Sequence, residues 1–179
     1  MNRPKSFGEY VDNMTKPEKP VEQRGWTAKD VQSALVSGIN APFNFQRYLV
    51  VPNVYWGWGL NWEADLIALS PAGYANEIEI KVTVSDLKRD REKSKWRTYA
   101  HQQLIKHVWF AAPEAMEAEL EEFAPEFAGI YVVRDIGDKF LCKKVRHAQR
   151  LDGRKHADSS RLKLARLGVM RWWSREISA

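Results

Sequence analysis

Two strand-length runs, EADLIAL at 63–69 and ANEIEIKV at 75–82, are separated only by SPAGY, whose serine, proline and glycine are turn residues. So short a connection joins antiparallel neighbours, and it sets which residues oppose one another. If Leu69 faces Ala75, then Ile67 faces Glu77, Asp65 faces Glu79 and Glu63 faces Lys81, with opposed side chains roughly 4.5–5.5 Å apart. The acids and the lysine then share one face of the sheet, while Ile78, Ile80 and Val82 pack on the other. A slip of one residue would divide the charged set between the two faces.

Concentrating Asp65 and Glu79, with Glu63 and Glu77 nearby, costs repulsion and desolvation unless a proton, a cation or a lysine compensates. A salt-bridged strand pair is one solution. A divalent cation is another: Mg2+, with Mn2+ as a substitute, prefers hard oxygen ligands and keeps waters that a phosphate can displace. Lys81 lies one strand repeat beyond Glu79. As an ammonium it would neutralise a phosphate, and as a neutral amine it would orient or deprotonate an attacking water.

The rest of the chain supplies the layers around this hairpin. Thr27 is placed to cap a helix over 28–37, with Asp30 completing an acidic capping box, Val31, Ala34 and Leu35 as the apolar stripe, and Gly38 as the stop. YLVVPNVY at 48–55 reads as a strand whose Pro52 demands a bulge or an edge. Ser85 or Asp86 is expected to cap a charged helix running toward Gln103 and Leu104. HVWFAAP reads as a buried strand, PEAMEAELEEF as a helix burying Met116, Leu120 and Phe123, AGIYVVRD as a strand and FLCKKV as a further short one. This order predicts an α/β fold, a three-layer α/β/α sandwich on a mixed sheet. The expected organisation is a loose arm over 1–25 carrying Pro4, Pro17 and Pro20, a core over 26–146, and a basic loop and helix over 147–179 packed on that core. In the last helix Leu162, Ala165, Val169 and Trp172, widened by Leu164, Leu167 and Trp173, are expected to dock.

NWEADLIALSPAGYANEIEIKV resembles the core of the PD-(D/E)XK nuclease superfamily, the restriction-endonuclease-like fold, in which an Asp precedes a hairpin turn and E-x-K follows on the next strand. The resemblance implies that Asp65 and Glu79 are metal ligands, that Ile80 offers its backbone carbonyl to the metal, and that Lys81 is the catalytic lysine. It further implies a Mg2+-dependent endonuclease hydrolysing DNA. Ala64 stands where the family usually has proline. Its frequent acid on the first helix has only Asp30 as a counterpart here, so Glu63 or Glu77 is the other candidate for an extra catalytic carboxylate.

Charge points to the same class of partner. Residues 139–179 hold twelve Lys or Arg and three Asp or Glu, whereas the remainder is net acidic. Arg161, Lys163, Arg166 and Arg171 on the last helix are therefore candidates to hold a nucleic-acid backbone, with Lys88 from the basic series Lys88–Arg97. Trp56, Trp58 and Trp62 either stack on bases or pack their glycine-rich loop. The four histidines lack ligand spacing and Cys142 reads as structural. No run reaches the roughly 18 apolar residues of a membrane span. The first twenty residues lack a signal-peptide apolar core, and the single cysteine permits no internal disulfide, so a cytoplasmic protein is expected. DNA is the expected partner, RNA is equally compatible with these residues, and the oligomeric state is open, a homodimer included. The alternative function is a nucleic-acid-binding protein on a nuclease scaffold with little or no hydrolysis.

Overall fold

The hairpin forms with Leu69 opposite Ala75 and Ile67 opposite Glu77, as the second and third strands of a six-stranded sheet. The computed structural model describes residues 25–55, 57–91 and 103–177. Residues 1–24 of the arm expected over 1–25, Trp56, and the basic positions Lys93, Lys95 and Arg97 with His101 and Gln102 lie outside the described residues.

In chain order the elements are α1 (Ala28–Ser37), β1 (Leu49–Val54), β2 (Ala64–Leu69), β3 (Ala75–Ile80), α2 (Val84–Arg91), β4 (Ile105–Pro113), α3 (Glu117–Phe123, after a 3-10 turn over Glu114–Met116), β5 (Gly129–Asp135), β6 (Phe140–Arg146) and α4 (Asp158–Ile177). The strands lie in sequence order across the sheet. β1, β2 and β3 are antiparallel, β3, β4 and β5 are parallel, and β6 returns antiparallel to β5. Pro52 is accommodated because β1 is an edge strand.

Strand alternation sends two apolar sets to opposite faces. Leu66, Ala68, Ile78 and Ile80 meet Val31, Ala34 and Leu35 of α1, together with Phe43 and Trp109. Ile67, Leu69, Val108 and Phe110 meet Leu87 of α2, Leu120 of α3 and Leu164 of α4. Helices thus cover both faces of a mixed sheet, and the fold is the expected three-layer α/β/α sandwich.

Local chemistry accounts for the helix starts. The Thr27 hydroxyl accepts the Asp30 amide at 3.2 Å and Asp30 Oδ2 accepts the Thr27 amide at 3.0 Å, which completes the capping box. The start of α2 falls earlier than expected: Thr83 Oγ1 accepts the Asp86 amide at 3.2 Å, so threonine, not Ser85 or Asp86, closes that end.

α4 docks on a different face from the one its apolar spacing suggests. Leu164 is fully buried and Leu167 and Gly168 are half-buried, whereas Leu162, Val169, Trp172 and Trp173 are exposed. The reason is close approach to the edge strand. A Cβ on Gly168 would stand 3.2 Å from Val51 Cγ2, so the small residue turns its own side of the helix to β1.

The loop over 147–157 is irregular but tied down. Leu151 donates its amide to Lys106 O at 2.9 Å, Arg154 to Gln103 O at 2.7 Å and His156 to Gly73 O at 2.8 Å. His156 Nε2 lies 2.8 Å from Leu104 O and its Nδ1 lies 3.0 Å from Ser160 Oγ, with the ring stacked on Trp58 at 4.5 Å. This histidine holds the loop to the start of α4.

Cys142 is buried, donates its thiol to Ala34 O at 3.2 Å, and has its pKa pushed up to about 12 by burial. Alkylation at pH 8 is therefore expected to be negligible in the folded protein and complete after denaturation. Rapid modification of the native thiol, read by intact mass, would contradict this placement.

Candidate active site in an acidic cleft

β2 and β3 stop pairing at Leu66–Ile78, one step before the predicted Asp65–Glu79 and Glu63–Lys81 pairs. Asp65 causes the departure. Its Oδ2 accepts the Ile80 amide at 2.8 Å, taking the donor that would otherwise continue the ladder. β3 stays anchored on its other side, where Lys81 donates its amide to Ala111 O at 2.9 Å. The strand ends consequently open beside a cleft of about 1040 Å3 while the acids remain on the predicted face.

Glu63, Asp65, Glu79, Ile80 and Lys81 all line this cleft. Glu63 is exposed at its rim, Asp65 is half-buried, and Glu79 and Lys81 are 2% and 3% exposed. Lys81 Nζ lies 3.3 Å from Glu79 Oε2, 3.3 Å from Asp90 Oδ1 and 3.8 Å from Asp86 Oδ2. Burial alone would lower the lysine's pKa. The carboxylates of Glu79, Asp90, Asp65 and Asp86 outweigh it and raise the pKa above its ordinary value of 10.5. The side chain is therefore an ammonium at neutral pH.

Glu77 is placed differently. It is fully buried and its Oε1 accepts the Trp62 Nε1 hydrogen at 2.8 Å. It shares the sheet face with Glu79 but is absent from the residues lining the cleft. Asp30 is held in the α1 capping box.

Asp86, expected from sequence only as a possible cap, and Asp90 both approach the Lys81 ammonium. They stand four residues apart on α2, on the side that carries buried Leu87, and Asp90 is 1% exposed. That spacing, on the helix that follows a strand with a lysine just past its end, is the signal that would have found them.

Of the basic residues proposed for nucleic acid, only Arg171 lines the cleft. Lys88 lies 4.9 Å over the Phe123 ring, Arg161 is 3.7 Å from Asp158, and Lys163 and Arg166 are exposed elsewhere on α4. The opposite wall comes from the start of α1, where Lys29 and Gln32 face the cleft.

Asp65 and Glu79 form a hard-oxygen pair whose surroundings stay acidic after Lys81 is counted. Such a pair fits Mg2+, which is commonly held by one or two carboxylates plus water and phosphate oxygens. Among the described residues no group of three or more His, Cys, Asp or Glu side chains is arranged to hold a metal ion. A cation here would thus rest on two carboxylates, not on a cage supplied wholly by protein.

Residues 29–175 match the model of a family described as DNA repair protein MmcB-like. The fold is similar, with a TM-score of 0.55, to a solved structure described as SPO1766 protein of unknown function from Silicibacter pomeroyi. That structure is 19% identical in sequence, and the match covers 87% of this chain and 90% of the other. No curated protein sequence matches this chain. No helix among the described residues is long and apolar enough to cross a membrane.

Proposed function

The chain belongs to the MmcB-like DNA repair protein family, and from that premise we propose that its acidic cleft hydrolyses DNA phosphodiester bonds with Mg2+. The observation that carries the proposal is the convergence of Asp65, Glu79 and a charged Lys81 in one cleft, in the order that resembles the PD-(D/E)XK nucleases. Asp65 and Glu79 are the carboxylates that would hold the cation, with the Ile80 carbonyl as a further oxygen. When bound, Mg2+ would supply Lewis acidity toward a phosphodiester oxygen and a lower pKa for water.

The chain's own residues do the remainder. Asp65 keeps its carboxylate oriented by accepting the Ile80 amide. Lys81, protonated and buried, sets a fixed positive charge against the negative charge that grows on phosphorus oxygens as the bond breaks. Asp86 and Asp90 hold that ammonium in position and keep it charged. In this role Lys81 stabilises charge and is not the base.

The pH dependence of cleavage tests that assignment. The raised pKa of Lys81 means that its stabilising charge is present below the ordinary lysine value of 10.5 and is lost only as pH rises through the higher folded-state value. The rate is expected to show no limb from Lys81 between pH 7 and 9. A limb in that window that disappears in Lys81→Arg would assign the lysine as a base instead.

The function itself is tested by incubating purified protein with end-labelled single-stranded, duplex, flap and junction DNA, in Mg2+ and in chelator. Products that require Mg2+ and are lost in Glu79→Gln are expected. DNA binding without any product would instead favour the second reading, a DNA-binding protein on a nuclease scaffold. The close hold of three carboxylates on Lys81 is the feature that fits that alternative.

A further inference from the structure

The cleft has an aromatic wall that the hydrolytic residues do not use. Trp172, near the end of α4, lines it beside Arg171 and remains 55% exposed. Its ring is backed by Trp173, with centroids 4.8 Å apart and planes at 75°, so the indole is supported without being covered. Among the described residues, the two tryptophans near the hairpin are already committed. Trp58 is buried and donates its Nε1 hydrogen to Ser160 O at 3.0 Å, and Trp62 donates to Glu77.

We infer that Trp172 is a stacking platform for an unpaired base, and that Arg171 and Lys29 hold the adjoining phosphates, so that the cleft takes DNA as a single strand. This rests on the reading of the cleft as a DNA site, and it names the form of DNA that enters. The acids on the floor repel a phosphate chain, so a strand needs cations on the walls to approach them. Lys29 on α1 and Arg171 on α4 supply one on each side. The volume of about 1040 Å3 lies at the upper end of small-ligand pockets, as an extended run of nucleotides requires. A base in a duplex has both faces occupied by its neighbours, whereas an unpaired base can lay one face on an indole whatever its identity. Gln32 adds an amide able to donate and accept on the α1 side.

The test is equilibrium binding in chelator, where cleavage does not interfere. A 12-nucleotide single strand containing 2-aminopurine is compared with the same sequence as a duplex, using wild type, Trp172→Ala, Trp172→Phe and Leu162→Ala. Leu162 is an exposed α4 residue outside the cleft lining and serves as the control. Wild type is expected to bind the single strand and quench the 2-aminopurine. Trp172→Ala should lose about tenfold in single-strand affinity and most of the quenching, with duplex affinity changed less than about twofold. Trp172→Phe should restore most of the loss and Leu162→Ala should match wild type.

Single-strand affinity unchanged in Trp172→Ala would overturn the inference, as would equal losses on strand and duplex or an equal loss in Leu162→Ala. In those cases wild-type DNA binding would leave the broader reading standing. Failure of wild type to bind either form in chelator would overturn the inference, whereas the broader reading is decided by the Mg2+ cleavage assay.

Discussion

Replacing Lys81 with methionine will destabilise the folded protein by about 3–5 kcal/mol, a fall in Tm on the order of 10 °C for a chain of this size. Methionine matches much of the aliphatic stem but takes away the cation shared by Glu79 and Asp90, both almost wholly buried. Removing one member of a buried ionic set costs more than the set contributes, because the remaining charges keep their desolvation penalty. The substitution therefore reports on folding as well as on catalysis. Lys81→Arg, which retains the charge on a larger head group, should recover part of the Tm. Thermal unfolding of the three proteins at pH 7 measures both effects. Equal Tm values would show that the lysine does not hold these carboxylates together.

Asp65→Asn separates chemistry from folding more cleanly. The amide oxygen of asparagine can still accept the Ile80 amide, so the opening between β2 and β3 should persist, with Tm changed by no more than a few degrees. The negative charge offered to a cation is lost. Cleavage in Mg2+ is expected to fall on the order of a thousandfold, comparable to loss of a major transition-state stabiliser. Single-strand binding in chelator should be retained or slightly improved, because one repulsive charge has left the floor. Cleavage within about tenfold of wild type by well-folded Asp65→Asn would remove Asp65 from the mechanism.

Those parts of the fold governed by neighbours in sequence were legible from residues alone. The register of β2 and β3 follows from two alternating runs and a five-residue turn, and the start of α1 from Thr27 and Asp30. Pro52 signals a bulge or an edge because it lacks the amide an interior strand must donate, and β1 lies at the edge. The opening of the hairpin at Asp65 was not legible, since a side chain competing for the Ile80 amide breaks a pattern that alternation alone continues.

Choices made by distant partners were hidden. Glu77 and Glu79 have the same parity and look equivalent in sequence, yet Trp62 draws the first into the core and Lys81 holds the second at the cleft. Apolar spacing marks α4 as a helix but does not reveal that Gly168 brings its other side onto Val51. That rotation places Arg171 and Trp172 at the cleft and leaves Lys163 and Arg166 exposed elsewhere. Asp86 and Asp90 gain their role only when α2 folds back over the ammonium of Lys81.

The cleft's assignment is most directly tested by a crystal structure of the protein with a short single strand of DNA and Ca2+, a cation chosen to support binding while slowing hydrolysis. The account predicts a cation on the carboxylates of Asp65 and Glu79, a phosphate within reach of Lys81 Nζ, and a base stacked on Trp172. DNA bound on another surface, or a phosphate in the cleft with no cation on either carboxylate, would contradict it.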